Sequence, residues 1–278
     1  MNALQASPPS GAQRGADSRA SALVRILLPV AVLAAGVMAW DLVVRINQIP
    51  PYVLPGPLDV FRTLIDDWPV LWSSLLTTLR TTLAGFIAAA VGGIALALLF
   101  NQSKWLEYSL FPYAVVLQVT PVIAIAPLLL IYLPQQTAVI ACAWIVGFFP
   151  VLSNTTLGLN SVDRNLAGLF QLYGASRMQT LRYLKLPAAL PFILGGLRIA
   201  GGLSLIGAVV AEIAAGSAGA GSGLAYRIAE SGYRLNIPRM FAALLLLSAA
   251  GIVIYGLLAL VSHLVLRRWH ESALGKEN

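Results

Sequence analysis

At 278 residues the chain is long enough for one or two ordinary domains, but 58% of it is hydrophobic, only 10% is charged, and the mean hydropathy is +0.81. Soluble domains carry about 25% charged residues, so this composition excludes a soluble enzyme and a disordered chain and leaves an all-α, polytopic membrane protein. One cysteine excludes a disulfide framework, and with two histidines it supplies too few ligands for a zinc site. The net charge of +7 fits cations held at a cytoplasmic membrane face, so no nucleic-acid partner is expected.

Residues 1–22 are rich in Ala, Ser, Pro and Gly without an apolar period and read as a disordered cytoplasmic tail. The apolar run 23–46 is long enough at about 1.5 Å per residue to cross a hydrocarbon core of about 30 Å, as an uncleaved first span. Asp41 and Arg45 lie four apart near its far end and can pair on one face. Five prolines in 47–69 block a continuous helix, leaving a loop with one short helix near 58–67. Further spans follow at about 70–100, 107–132, 137–158, 188–214 and 239–266, making six, and a short cytoplasmic tail occupies 269–278. Arg80 within the second span is placed at the outer interface or facing protein, because a lipid-facing arginine at mid-depth is costly. Pro112, Pro121, Pro127 and Pro150 lie in or beside spans three and four. They either kink these helices or mark backbone that lines a pathway.

Six spans put both termini on one side. The tails and even-numbered loops hold eleven Lys and Arg and the opposite loops five, so the positive-inside rule places both termini in the cytoplasm. The longest cytoplasmic loop is then 159–187. Asp163 is placed to cap a helix. Leu166, Leu169, Phe170 and Tyr173 follow at helical spacing and give that helix one apolar face. Gly174 ends it, since glycine enters a left-handed C-cap freely. A second helix at about 175–186 carries Arg177, Arg182 and Lys185, and Pro187 opens the next span. Such a helix–glycine–helix is either an ordinary connection or a lever for a soluble partner.

This loop resembles the coupling loop of binding-protein-dependent ABC importer permeases, whose pattern is E-A-A-x-x-x-G-x9-I-x-L-P. Gly174, Leu186 and Pro187 fall on its glycine, leucine and proline, and Leu184 replaces the isoleucine. Gly168, Leu169 and Phe170 stand where the acidic start belongs. The resemblance runs from about 50 to 268. YVLPGP (52–57), SLLTTLRTTLAGF (74–86), FPVLSNT (149–155), LPAALPFILGGLRIA (186–200) and Ala211-Glu212 before GSGLAY (221–226) resemble the nitrate, sulfonate and taurine branch. The run FPYAVVLQVTPVIAIAPL (111–128) more particularly resembles permeases for thiamine precursors such as hydroxymethylpyrimidine, or for riboflavin.

The resemblance implies a type I importer permease fold in a bacterial inner membrane. It also implies two cytoplasmic ATPase subunits carrying ATP and Mg, a second permease subunit (a homodimer), and an extracytoplasmic solute-binding protein. The segment assigned to ATPase coupling comprises Leu166, Gly168, Leu169, Phe170, Tyr173, Gly174, Ala175, Arg177, Leu186 and Pro187. No G-x-x-x-x-G-K-[ST] run occurs, so the chain has no phosphate loop, no cofactor is expected in it, and its energy comes from another polypeptide.

Candidate pathway residues are Gln118 and Thr120, with Pro121 and Pro127 shaping the backbone, and Trp144 and Phe148 as stacking surfaces or as packing. Glu212, an acid in an apolar run, is either a pathway group or a carboxylate bonded to local backbone. Arg198 is expected to pair with an acid of a neighbouring helix or subunit. The small-residue segment Ala214–Gly223 is either an anion-binding backbone or a turn allowing close helix approach. An ion-coupled transporter using Glu212, Arg198 and Arg80 is the rival of another class.

Overall fold

The computed structural model describes residues 11–216 and 221–267. The tail expected at 269–278, residues 1–10, and part of the small-residue segment lie outside them. The chain divides into two compact units at Arg62/Thr63. In the first unit, α1 runs Gly11–Ile46, and Leu27–Ile46 is apolar enough to span a membrane. Residues 11–22, expected to be disordered, are instead helical, and the alanines of 16–22 are strong helix formers able to extend an apolar helix beyond the membrane. The Asp41–Arg45 pair forms as expected, at 2.7 Å. The Pro-rich turn that follows leads into α2 (Pro57–Asp66).

The second unit is built on three long helices, α3 (Trp68–Gln102), α6 (Gln135–Asn160) and α9 (Leu186–Ala215), with α6 packed between the other two. Lipid is as apolar as leucine, so helices associate there through close packing of small residues. Small residues accordingly recur among the buried positions, Ala89, Ala97, Ala143, Ala200, Ala208 and Ala211 with Thr78, Thr155 and Ser204, beside larger ones such as Phe100 and Leu152. Gly207 shows why: a Cβ there would stand 2.6 Å from the Cys142 carbonyl oxygen of α6. α11 (Ile237–Leu266) lies against this core and is preceded by a short helix, α10 (Leu224–Tyr233). Among the described residues five helices are long and apolar enough to span, or six if one bent pair counts as a span.

That bent pair corrects the third span, expected to run continuously over 107–132. It is two helices, α4 (Lys104–Val119) and α5 (Val122–Tyr132), turned by 99°. Pro121 disfavours the α conformation at the residue before it and returns no N–H. Thr120 and Pro121 are both extended, and the Thr120 N–H and hydroxyl both donate to the Val116 carbonyl, at 3.1 and 2.7 Å, closing α4.

Candidate functional site

At one end of the bundle, α7 (Arg164–Leu172) forms where the sequence places it. Asp163 accepts the Asn165 N–H at 2.6 Å, capping the helix. Gly174 takes φ +68°, and its N–H bonds to Gln171 while that of Ala175 bonds to Phe170, tying off the C-terminal carbonyls. Leu166 and Leu169 are exposed, and beyond them Leu172 and Tyr173 stand 85% and 84% exposed. Phe170, expected on the same face, is half-buried. A shallow groove of about 560 Å³ runs along Arg164, Gly168, Leu169 and Leu172. A Cβ at Gly168 would meet nothing within 4 Å, so the missing acidic start is a matter of sequence and not of space.

The expected second helix at 175–186 with a separate span behind it is corrected. Ser176 and Gln179 form a reciprocal capping box on α8 (Arg177–Thr180). A π turn at Leu181–Lys185 then joins α8 directly to α9. The wider turn accommodates Pro187, which would otherwise press its ring on the carbonyl four residues back. The helix is therefore continuous from Arg177 to Ala215, so α8 and the span form one rod.

At the opposite end, Glu212 of α9 is 3% exposed. Its Oε2 accepts from Thr78 Oγ1 of α3 at 2.9 Å and from the Ala225 N–H at 3.1 Å. Thr78 Oγ1 in turn accepts the Leu224 N–H at 2.8 Å. Two side chains from two spans thus satisfy the first free N–H groups of α10, whose own N-cap, Gly223, has no side chain to do so. A Cβ at Gly223 would overlap the Glu212 carboxylate. Arg227 donates to Ser74 at 3.1 Å and pairs with Glu230 at 2.8 Å, and Arg239 clamps Asp67 through two nitrogens at 2.6 and 2.8 Å. α10 closes on Leu235, which holds φ +55° while 68% exposed. A leucine there is strained by about 1 kcal/mol, so Leu235→Gly is expected to raise the Tm of the detergent-purified protein. A lowered Tm would mean that the side chain makes a stabilising contact outside this chain.

Gln118, Thr120 and Pro121 do come together, lining a cleft of about 340 Å³ with Val122, Ile145, Val146, Pro150 and Leu203. Pro127, Trp144, Phe148 and Glu212 are not part of it. Phe148 is buried, its ring 5.3 Å from Trp144, and both pack beside Gly92 of α3. Glu212 is turned into the α3–α9–α10 junction, where Oε2 caps α10 and Oε1 is buried without a partner among the described residues. Arg198 finds no acid among the described residues and lies over the Tyr255 ring of α11 at 5.9 Å. Arg80 is exposed, five residues beyond the Gly85 contact with Ile140 and Ala143, which sets it level with the first turn of α6.

Residues 82–267 match the family described as binding-protein-dependent transport system inner membrane component. The chain belongs to that family. It is 33% identical over 88% of its length to a riboflavin transport system permease protein of Chloroflexus aurantiacus, 90% of which is covered. It is 34% identical over 77% of its length to a formylaminopyrimidine transport permease protein of Halalkalibacterium halodurans, 84% of which is covered. Its fold matches a solved amino acid ABC transporter with histidines at TM-score 0.60 and 22% identity, covering 73% of this chain and 97% of that one. The chain is thus an ABC importer permease of type I fold, a multi-pass inner-membrane component.

In this permease the sequence reading missed Leu172 on the exposed stripe and the Ser74, Thr78 and Gly223 partners at the other end. Leu172 was legible, since it lies three residues after Leu169 on the same face. Ser74 and Thr78 were not, because their partners are 153 and 134 positions away, and neither was Gly223, whose meeting with Glu212 depends on how α10 folds back on α9.

Proposed function

We propose that the chain is the translocation subunit of an importer that carries a weakly charged aromatic ring compound, a thiamine precursor or a flavin, into the cytoplasm by alternating access. A cytoplasmic ATPase holding ATP and Mg docks on Leu166, Leu169, Leu172 and Tyr173. The observation that carries this reading is that exposed apolar stripe, on a helix capped by Gly174 and joined through Arg177 and Leu186–Pro187 to the α9 rod. Gly168, Phe170 and Ala175 set the shape of the docking segment. Both termini are then cytoplasmic, and α10 faces the extracytoplasmic solute-binding protein. A second identical copy completes the pathway.

The cleft at Gln118, Thr120 and Pro121 supports a ring substrate: it offers an amide and a hydroxyl beside apolar walls, with no basic residue among its described lining residues. Pro127, Trp144 and Phe148 shape the pathway from behind, through the position of α5 and the α3–α6 packing. Glu212 acts at its outer end by fixing α10. The names of the pyrimidine and riboflavin relatives agree with this chemistry, while the family also holds relatives with sulfonate and nitrate names. Competition uptake tests it. Excess unlabelled pyrimidine precursor or flavin is expected to suppress transport, and excess taurine, alkanesulfonate or nitrate is not. Competition by the anions alone would refute the ring substrate and leave the permease role standing.

A further inference from the structure

Beside the coupling segment lies a second cleft, of about 600 Å³, between the α3–α4 corner (Asn101, Gln102, Ser103, Lys104) and Gln171, Ala175, Arg177, Thr180 and Lys185. Three cations face it. Lys104 pairs with Glu107 at 2.6 Å. Arg177 has no acidic partner among the described residues. Lys185 is half-buried, and the contact it makes is to a neutral amide, Asn101 Oδ1, at 3.2 Å. A cation drawn partly out of water and given only an amide lacks the compensation that such groups require. The cleft therefore has room, two cations without an acidic partner among the described residues, and the Ser103 hydroxyl as a further donor, the Thr180 hydroxyl being given to the Ser176 carbonyl, with no acid among its described lining residues.

We propose that this cleft binds the phosphate of an anionic phospholipid headgroup or a free phosphate. Its depth favours the lipid: Lys185 immediately precedes α9, and Lys104 opens α4 directly after α3 ends, so the cations sit where apolar spans give way to polar chain. Under the orientation proposed above, on which this inference rests, that level is the cytoplasmic leaflet, where a basic residue near the surface contributes about 1 kcal/mol toward anionic lipid. A bound phosphate would bridge Lys104 of the span corner to Arg177 of the coupling segment, and so set how firmly that segment is held against the bundle.

The complete transporter, reconstituted in phosphatidylcholine nanodiscs with increasing fractions of phosphatidylglycerol, provides the test, read as the Tm of the permease and as phospholipid retained in native mass spectra. Phosphatidylglycerol is expected to raise the wild-type Tm. The Lys104→Gln/Lys185→Gln double variant should require a fraction higher by about twenty-five-fold, at roughly fivefold per lysine. Lys185→Arg keeps the charge and should retain the response. Arg182→Gln, exposed and outside the cleft, should also retain it. Inorganic phosphate in pure phosphatidylcholine separates the sources: a lysine-dependent Tm shift with phosphate alone assigns a soluble anion, and a shift with phosphatidylglycerol alone assigns the lipid. An equal response in wild type and double variant, or an equal loss in Arg182→Gln, overturns the site. Neither readout needs transport, so a failed permease reading would show separately, as wild-type protein without ATP-driven uptake.

Discussion

Replacing Gly174 by proline is expected to abolish ATP-driven uptake in a protein that still inserts in the membrane. Gly174 holds φ +68°, and proline is confined near −65°. The substitution also removes the N–H that bonds to the Gln171 carbonyl at 3.0 Å. A distortion of about 3 kcal/mol at this point would depopulate the native turn by roughly a hundredfold. Since α8 runs unbroken into α9, the misplaced turn tilts α7 relative to the rod that must respond to it. Uptake in vesicles, normalised to inserted protein, measures the effect. Normal transport by Gly174→Pro would show that the α7–α9 geometry does not couple to the pathway. Gly256→Ala, on α11 outside the docking segment and where a Cβ meets nothing, serves as the control and should transport normally.

Removing the Glu212 carboxylate is expected to produce the largest loss of stability. Glu212→Ala leaves the Ala225 N–H and the Thr78 hydroxyl without their shared acceptor in a buried site. Each orphaned group costs about 1–3 kcal/mol, so a total of about 3 kcal/mol, roughly 6–12 °C of Tm, is expected. Glu212→Gln keeps an acceptor oxygen for both donors and should lose about 1 kcal/mol, mainly from the lost charge at the α10 N-terminus. Thermal unfolding in detergent separates the two. Equal losses would mean that charge and not hydrogen bonding holds α10. No loss in either would mean that the Arg239–Asp67 clamp suffices to seat it.

The long apolar helices were legible in the chain itself, because length and apolarity are local properties. The α7 helix was legible for a similar reason: Asp163, the Leu166–Leu169 spacing and Gly174 act within a dozen residues. Even the break in the third span was written in Thr120-Pro121, although the 99° turn was not. Only the tertiary structure decided which faces meet. In lipid no burial of oily surface selects a partner, and interlocking of small residues such as Gly207 against α6 does so instead. That packing turned Trp144 and Phe148 toward α3 and away from the cleft, set Arg198 over Tyr255, and carried Glu212 to Thr78 across 134 positions of sequence. It also gathered Lys104, Arg177 and Lys185 around one cleft, a juxtaposition that no pattern along the chain contains.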